Sequence, residues 1–291
     1  MIITKLIGGL GNQMFQYATG KALALRHSVD VKVDVSSLNL DSEGIYTQRK
    51  YELSIFNKPI QIATANEKEN FLGENSSNIT RKIKQLFPYL ANTYYALEKG
   101  SQYHKEFLKY PKSTYLNGFW QSELYFKNIE TIIKNDFTFN QNIIDINKDL
   151  VSKIESCNSI SLHVRRGDYV QNKITNQFHG LCSLEYYNDA IRYIEMKIKN
   201  IEIFVFSDDI SWCKENLKYN LPIHFMDTTD AHSDLYLMTK CKHNIIANSS
   251  FSWWGAWLNT NKEKIVIAPK QWFVKQSVIT QDIIPAQWIK L

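Results

Sequence analysis

A histidine, two arginines and an aspartate stand at the end of an apolar stretch near the middle of the chain. Residues 159–164 have the composition of a buried strand, and His163, Arg165, Arg166 and Asp168 lie at or just beyond its carboxyl end. Open α/β sheets bind ligands beyond the carboxyl ends of their strands, and a guanidinium forms forked hydrogen bonds to phosphate oxygens. The pattern therefore predicts a phosphate site. The alternative is that one arginine only pairs with Asp168 while the other lies in water.

The beginning of the chain predicts the elements that such a site needs. The expected order is a buried strand at residues 2–7, a glycine-rich turn at 8–11, a helix at 12–27 and a second strand at 29–35. A strand, a helix and a strand in this order form a βαβ unit, from which parallel sheets are built.

The glycine-rich turn is a second predicted binding element. Gly9 and Gly11 let a ligand approach the main chain closely, and Asn12 and Gln13 begin the predicted helix, whose first amides favour an anion. The dinucleotide fingerprint needs a further glycine where this chain has Met14. An NAD-dependent Rossmann oxidoreductase is therefore the weaker alternative.

Two more polar clusters directly follow predicted strands, and they are Ser207, Asp208 and Asp209, and Asn248, Ser249, Ser250 and Phe251. Serine hydroxyls at a helix start favour an anion, although an ordinary N-cap by Ser249 or Ser250 explains them equally well. Asp208 and Asp209 suit three roles: a catalytic carboxylate pair, metal ligands, or acceptors for a base or ribose.

Strands and helices alternate through the second half of the chain, with strands at 203–206, 223–226 and 244–247 and helices starting at Ser183 and at 234–241. This alternation predicts a parallel sheet with helices on both faces. We therefore expect an α/β chain of two Rossmann-like domains, residues 1–150 and 151–291, separated within the Asn-rich stretch 140–158. The last residues are free to pack back on the first domain.

Composition and charge narrow the classes of partner. With 291 residues, 44% of them hydrophobic, the chain is long enough for two domains with cores of their own. A net charge of +5 without a dense run of Lys and Arg argues against nucleic acid, and it allows an anionic ligand or a weak membrane-surface contact. Four scattered cysteines and no apolar run of membrane-spanning length predict a reduced protein, cytoplasmic or peripheral at the inner face of the membrane.

Four segments together resemble one family, and they are GGLGNQMFQY at 8–17, HVRRGDY at 163–169, FSDD at 206–209 and NSSFSWW at 248–254. In this order they closely resemble the motifs of the inverting α-1,2-fucosyltransferases in their bacterial form, a family 11-like group of glycosyltransferases. The resemblance implies a GT-B-like fold of two facing Rossmann-like domains with parallel sheets. It also implies GDP-β-L-fucose as donor, transfer to the 2-hydroxyl of a terminal β-galactose with inversion, and no metal cofactor. The chain contains no Asp-x-Asp, the metal-chelating motif of the other main glycosyltransferase fold.

The resemblance also implies how the donor's diphosphate is held. Arg165 and Arg166 contact it, and the hydroxyls of Ser249 and Ser250 complete the cradle. The glycine-rich turn of the first domain closes over the phosphate and the fucose from the other side.

The remaining polar residues then take roles around this cradle. Asp208 and Asp209 are expected to accept hydrogen bonds from the ribose or base of guanosine. The base that activates the acceptor hydroxyl stays unassigned between Asp168, which we prefer, and His163. A context in lipopolysaccharide or surface-glycan biosynthesis is implied by the resemblance alone.

Other functions remain as alternatives. A fucosyltransferase of α-1,6 or protein O-linked specificity shares the Arg-Arg loop but ordinarily carries disulfides or a membrane anchor. A carbohydrate-binding module without catalysis would use Trp120, Trp253 and Trp254 as platforms for galactose but would leave the arginines without a role. Helix core is the other interpretation of Trp253 and Trp254. Residues 115–126 predict either a corner near a sugar or core with a helix cap.

Overall fold

The structure is a computed structural model that describes residues 1–38, 49–72, 93–167, 170, 173–228, 230–275 and 278–291. Its contacts divide the chain into two units. The first unit is Met1–Thr138 with Gln281–Ile283, and the second is Phe139–Thr280 with Ile284–Leu291.

The first unit is built on a four-stranded sheet, whose strands are β1 (Ile2–Lys5), β2 (Val31–Asp34), β3 (Tyr94–Leu97) and β4 (Thr114–Asn117). Their order is β2-β1-β4-β3, and every neighbouring pair is parallel. All four carboxyl ends therefore lie at one edge. The sequence analysis missed β3, because its side chains are mostly exposed or half-buried and form no apolar run.

The helices of the first unit are α1 (Leu10–Arg26), α2 (Ala65–Leu72) and α3 (Glu130–Asp136), and short 3-10 turns lie at Leu53–Ile55, Lys105–Lys109, Glu123–Tyr125 and Lys127–Ile129. The helix α1 begins at Leu10 and not at the predicted Asn12, because Gly9 is already its N-cap. Gly8, with a φ of 80°, turns the chain between β1 and α1 in a conformation that suits glycine.

The second unit contains a six-stranded sheet, whose strands are β5 (Asn158–Val164), β6 (Ile201–Ser207), β7 (Ile223–Phe225), β8 (His243–Ile245), β9 (Val266–Ala268) and β10 (Ile289–Lys290). Their order is β10-β9-β8-β5-β6-β7, and all pairs are parallel. The chain runs from β5 outward through β6 to β7 and then returns to the other side of β5 with β8. This is the Rossmann order, with its topological switch point between β5 and β8. The predicted α/β fold with parallel sheets is confirmed.

The helices of the second unit are α4 (Gln141–Ile146), α5 (Lys148–Glu155), α6 (Lys173–His179), α7 (Leu184–Glu195), α8 (Ile210–Asn216), α9 (Ala231–Lys240) and α10 (Ser250–Leu258). They cover both faces of the sheet. On one face α7 packs against Ile160, Leu162 and Val164, and on the other α5 and α9 pack against Phe204 and Phe206. Because both faces are covered, β5 is buried from Ser159 to Val164 although only Ile160, Leu162 and Val164 are apolar, and β6 is apolar except at Glu202 and Ser207.

The division between the units falls after Thr138, ahead of the predicted boundary at 150. The Asn-rich stretch 140–158 forms α4 and α5, and Ile154 of α5 belongs to the core around Phe204 and Phe206. This helix therefore folds with the second unit. Among the described helices, none is both long and apolar enough to cross a bilayer.

Candidate active site

Three loops of the second unit meet at the carboxyl edge of its sheet. They follow β5, β6 and β8, which are neighbours in the sheet. Val164 at the end of β5 lies opposite Ser207 at the end of β6. Because the strands are parallel, the segments 163–167, 206–209 and 248–251 reach one edge beside the switch point, where ligands of this fold bind.

Two ion pairs join the loops after β5 and β6. Arg165 Nη1 lies 2.7 Å from Asp208 Oδ2, and Arg166 Nε lies 3.2 Å from Asp209 Oδ2. The main-chain N–H of Arg166 also donates to Asp208 Oδ1 at 2.8 Å. The arginine side chains remain 23% and 19% exposed. Carboxylates of the neighbouring loop therefore hold both arginines at the edge, whereas Asp168, the partner considered from sequence, lies outside the described residues.

Trp212 is a residue of this site that the sequence analysis missed. The guanidinium of Arg166 lies 3.9 Å from the centre of its ring, within the range of a cation–π contact. Asp209 is the N-cap of α8 and accepts a hydrogen bond from the Trp212 N–H at 3.1 Å. Ser207 Oγ in turn accepts from the Asp209 N–H at 3.0 Å. An aromatic residue three positions after a capping aspartate was the signal that could have revealed Trp212.

His163 is buried beneath the arginine loop and is only 4% exposed. Its ring lies 5.7 Å from the ring of Phe251. Burial lowers the pKa of His163 to about 4; the Asp208 carboxylate opposes this shift and the Arg165 guanidinium adds to it. The imidazole is therefore neutral at neutral pH. Its Nδ1 is buried without a hydrogen-bond partner among the residues that the structure describes.

Asn248 contacts main-chain groups of two other segments. Its Nδ2 donates to the carbonyl oxygens of His179 at 2.8 Å and Trp272 at 3.2 Å. Its Oδ1 accepts from Cys182 Sγ at 3.6 Å. These contacts fix the loop after β8 to the chain around it. A role of Asn248 in binding a donor stays a prediction.

Ser249 is the N-cap of α10 and accepts a hydrogen bond from the Phe251 N–H at 3.3 Å. The N-cap alternative is therefore confirmed for Ser249. Ser250 is the first helical residue, and no acidic residue lies in the first turn. The positive end of the α10 dipole thus meets the edge without a neutralising carboxylate in its own first turn.

The glycine-rich turn of the first unit is shorter than predicted. Gly9 caps α1, and Gly11, expected in the turn, is buried in the first helical turn. Asn12 Oδ1 accepts a hydrogen bond from Gln121 Nε2 at 2.7 Å. A Cβ on Gly9 would lie 3.6 Å from Nη1 of Arg49, a cation that the sequence analysis did not single out.

The side chain of Gln13 forms hydrogen bonds with the main chain around the turn. Its Nε2 donates to the carbonyl oxygens of Gly8 at 3.0 Å and Lys50 at 2.8 Å, and its Oε1 accepts from the Glu52 N–H at 3.0 Å. Gln13 is fully buried. It therefore anchors the turn, and direct contact with a donor stays a prediction.

Glu98 is a second site residue that the sequence analysis missed. It directly follows β3, and its carboxylate accepts hydrogen bonds from the main-chain N–H groups of Phe119 at 2.6 Å and Trp120 at 2.9 Å. Burial raises the pKa of Glu98 to about 7 against the opposing effect of these two hydrogen bonds. No sequence signal marked it, because it lies in a stretch without clear periodicity.

Three tryptophans that could have bound a sugar are core residues. Trp120, Trp253 and Trp254 are fully buried. Trp253 packs on Trp254 at 5.0 Å, Trp257 at 6.1 Å and Trp288 at 5.4 Å between ring centres. The core interpretation of Trp253 and Trp254 is confirmed, and the galactose-platform interpretation is wrong, because a fully buried ring presents no face to a sugar.

In the described part of the chain, no group of three or more His, Cys, Asp or Glu side chains is placed to hold a metal ion. Asp208 and Asp209, considered as metal ligands from sequence, contact Arg165 and Arg166. The independence of the reaction from metal stays a prediction.

Comparison with known proteins identifies the family of this chain. The family model of glycosyl transferase family 11 matches residues 1–291. The chain belongs to glycosyl transferase family 11. Its identification as a glycosyltransferase is thereby confirmed, and the oxidoreductase and non-catalytic alternatives are wrong.

Two full-length relatives of this family 11 chain come from Escherichia coli. An α-1,2-colitosyltransferase is 38% identical over 300 residues, which cover 100% of this chain and 99% of the relative. The O-antigen biosynthesis glycosyltransferase WbnK is 36% identical over 309 residues, which cover 98% and 99%.

A solved structure shares the fold of this family 11 chain. The NodZ α-1,6-fucosyltransferase co-crystallised with GDP matches with a TM-score of 0.51 at 14% identity, over 87% of this chain and 90% of that chain. The α/β fold with parallel sheets is therefore GT-B-like, as the resemblance implied.

Proposed function

We propose that this family 11 glycosyltransferase transfers L-fucose from GDP-β-L-fucose to the 2-hydroxyl of a terminal β-galactose, with inversion at fucose C1. The observation that carries the proposal is the pair Arg165 and Arg166 at the switch-point edge of a Rossmann sheet, held there by Asp208 and Asp209. The motif resemblance and the α-1,2 linkage in the name of the 38% identical relative support the regiochemistry.

The two arginines suit a diphosphate leaving group. When the bond between C1 and the β-phosphate breaks, negative charge grows on the phosphate oxygens, and a guanidinium stabilises that charge without losing its proton. Preorganised donors of this kind contribute about 3–4 kcal/mol each to the transition state. The positive end of the α10 dipole, with no acidic residue in its first turn, adds the main-chain N–H group of Ser250. In this proposal fixed cations do the work of a metal, so no metal is required.

Asp208 and Asp209 take two roles in the proposal. Asp208 holds the guanidinium of Arg165, and Asp209 holds that of Arg166. An ionised carboxylate offers about four acceptor positions. The remaining positions accept hydrogen bonds from the ribose or base of guanosine. Binding of GDP by the NodZ enzyme is consistent with such a donor, as a likeness of fold.

A second donor is favoured by a specific observation. The full-length relative with 38% identity is named an α-1,2-colitosyltransferase. Colitose is L-fucose without its 3-hydroxyl, so the two donors differ by one polar group. A fucosyltransferase of α-1,6 linkage is less well supported, because NodZ is only 14% identical. An O-antigen or other surface glycan is the proposed acceptor, in line with the name of the WbnK relative, and peripheral membrane contact stays a prediction.

The test is a transfer assay with GDP-fucose and GDP-colitose against a panel of β-galactosides in EDTA, with the linkage read by NMR. An α-1,2-linked fucoside supports the proposal in full. Selective transfer of colitose moves the donor to the second candidate and keeps the linkage. A strict requirement for Mg²⁺ or Mn²⁺, or a product linked elsewhere than at the 2-hydroxyl, contradicts the proposal as stated.

A further inference from the structure

The two arginines at the edge of the second sheet are held in different ways. Asp208 contacts a terminal nitrogen of Arg165, Nη1, at 2.7 Å, whereas Asp209 contacts Nε of Arg166 at 3.2 Å. The ion pair with Asp209 therefore takes up one edge of the Arg166 guanidinium and leaves its two terminal nitrogens out of the pair. Those nitrogens carry most of the N–H donors of an arginine, in the fork that matches phosphate oxygens.

One face of the same guanidinium lies over the indole ring of Trp212. The Cζ atom of Arg166 is 3.9 Å from the ring centre. A cation within about 6 Å of the face of a tryptophan is attracted by the ring, and arginine is a frequent partner. The Nε contact limits movement within the plane of the guanidinium, and the ring limits movement out of that plane. Together they restrict the side chain in two directions that neither contact restricts alone.

A single carboxylate connects the ring to the guanidinium. Asp209 Oδ2 contacts Arg166 Nε, and Asp209 Oδ1 accepts a hydrogen bond from the main-chain N–H of Trp212 at 3.1 Å. The carboxylate is itself fixed, because Asp209 is the N-cap of α8 and its own N–H donates to Ser207 Oγ at 3.0 Å. One short network at the carboxyl end of β6 therefore sets the separation between Arg166 and Trp212.

The indole of Trp212 is anchored in the core of the second unit. The residue is half-buried and packs against the apolar cluster between α7 and the sheet. The next residue, Cys213, is fully buried in that cluster. Side chains whose rotamers are fixed by packing hold a site more accurately than side chains that move in solvent. The ring is therefore a fixed surface against which Arg166 lies.

We propose that Trp212 is a positioning residue for the sugar transfer and that it acts through Arg166. This inference rests on the proposed function, in which Arg166 binds the diphosphate of the donor. The ring holds the guanidinium in place before the donor arrives, so Arg166 moves little while negative charge grows on the β-phosphate. All the groups concerned belong to the second unit, and no contact between Trp212 and the donor is needed.

The proposal predicts a larger effect on the reaction than on binding. A hydrogen-bond donor that is already in place stabilises developing charge without a cost of reorganisation at the moment of reaction. Without the ring, GDP still draws Arg166 toward its phosphates, at a small cost in affinity. The orientation that the transition state needs is then no longer maintained. Removal of the ring should therefore lower kcat more than it weakens the binding of GDP.

The test uses the full chain with Trp212→Leu, Trp212→Met and Trp212→Phe, in the transfer assay with GDP-fucose and a β-galactoside. We expect kcat of Trp212→Leu and Trp212→Met to fall about 3- to 30-fold, the range for loss of one partly buried cation–π contact. Kd for GDP, measured by calorimetry, should rise by about twofold or less. Trp212→Phe keeps an aromatic face, so its kcat should stay within about twofold of wild type.

Tyr193→Leu is the matched control. Tyr193 is also half-buried, packs against the same cluster and has a cation, Lys197, over its ring at 5.0 Å. Because α7 leads from the carboxyl end of β5 back to the amino end of β6, Tyr193 near the end of α7 lies away from the arginines. In this variant kcat and the Kd for GDP should both change by less than about twofold.

A double-mutant cycle separates positioning from packing. In the Arg166→Ala background the ring has no guanidinium to hold, so the addition of Trp212→Leu should lower kcat further by less than about twofold. A ring that only supports α8 would instead lower kcat by the same factor in both backgrounds, and that result overturns the proposal.

Three other results also overturn it. They are a kcat of Trp212→Leu within about threefold of wild type, a loss in Trp212→Phe as large as that in Trp212→Leu, and failure of both Trp212→Leu and Trp212→Met to fold. In the last case the ring would be a requirement of the core. A wild-type chain that transfers neither fucose nor colitose to any galactoside overturns the proposed function, and this inference with it. Transfer by wild type with unchanged kcat in the Trp212 variants overturns this inference alone.

Discussion

The carboxyl edges of the two sheets have opposite chemistry. The edge of the second unit carries Arg165 and Arg166, each neutralised by an aspartate of the next loop. The edge of the first unit carries amide side chains that hold one another and the main chain, and Glu98 is a carboxylate there without a cationic partner in the described residues. The edge of the second unit thus presents two guanidiniums, whereas the edge of the first unit presents mainly amide side chains beside the ion pair of Asp34 and Lys68.

This difference indicates how one fold can serve two substrates. Charged pairs keep guanidiniums in place yet can exchange one anion for another, which suits a diphosphate that arrives and leaves. Amide networks such as those of Asn12, Gln13 and Gln16 instead fix the main chain, because each amide has donors and an acceptor that must all be satisfied when buried. The comparison predicts that substitutions of the two arginines in the second unit act mainly on chemistry, and that substitutions of the amide side chains in the first unit act mainly on geometry.

The largest effect is expected for Arg166→Lys in the second unit. Lysine keeps the charge but loses the Nε contact to Asp209 and the planar contact with Trp212. We expect kcat to fall about 10²–10³-fold, as for the loss of one preorganised donor. Arg192→Lys is the matched control, because Arg192 pairs with Asp189 on the surface, and its kcat should change by less than about twofold. A wild-type kcat in Arg166→Lys would contradict the forked hydrogen bonds that Arg166 is proposed to make to the diphosphate of the donor.

The next largest effect is expected in the first unit for Gln16→Leu. Leucine fills a similar volume but leaves the N–H and C=O of Ile7 and the carbonyl of Gly118 without their partner. Each buried main-chain group left unpaired costs about 1–3 kcal/mol, so the free energy of unfolding in urea should fall by at least that amount. Gln141→Leu, at an exposed helix position that bonds Asp145, should stay within about 0.5 kcal/mol of wild type. Equal stabilities of the two variants would show that the amide of Gln16 contributes nothing to the free energy of unfolding.

A smaller effect should separate backbone strain from a local collision in the first unit. Gly8 and Gly100 have φ values of 80° and 82°, so alanine costs about 1–2 kcal/mol at either position. A Cβ on Gly8 would also collide with Asn12 Nδ2, whereas a Cβ on Gly100 meets nothing within 4 Å. Gly8→Ala should therefore lose more stability than Gly100→Ala in urea unfolding and should also lower kcat. Indistinguishable variants would argue against a precise fit of the turn.

The smallest effects are changes of stability with pH, and the changes due to Glu98 in the first unit and Asp230 in the second have opposite signs. Burial raises the pKa of Glu98 to about 7 from its ordinary 4.5, so its contribution to stability is present below 4.5 and is lost as pH rises through 7. Hydrogen bonds from the first turn of α9 lower the pKa of Asp230 despite the opposing effect of burial. Its contribution is present above 3.8 and is lost as pH falls through the lowered value.

Urea unfolding between pH 5 and pH 8 measures this difference in sign. The stability difference between wild type and Glu98→Gln should change across the window, with the variant gaining relative to wild type toward pH 8. The difference between wild type and Asp230→Asn should stay constant, because Asp230 is ionised throughout. A constant difference for Glu98→Gln would show that its carboxyl titrates as an ordinary glutamate.

Several features of the fold followed from local pattern. The strands β5 and β6 and a helix starting at Ser183 were predicted, because burial on a sheet imposes a pattern that shows in the residues themselves. The motif segments also predicted which loops carry polar groups. In contrast β3 was missed, since an edge strand with exposed side chains has no such periodicity. The predicted start of α1 lay two residues too late, because the N-cap residue Gly9 has no side chain that marks a helix start in the sequence.

What the sequence by itself determined was the kind of chemistry: two arginines after one strand, two aspartates after another, and a serine-rich helix start after a third. Only the tertiary structure decided their partners. Parallel pairing of β5 and β6 brings Arg165 to Asp208 and Arg166 to Asp209, residues that are 43 positions apart in the chain, and no local pattern encodes such a contact. The same holds for Glu98, which matters because a turn from a different strand folds its N–H groups onto it. Residue types are local properties of a chain, whereas burial and partnership arise only when distant segments pack together.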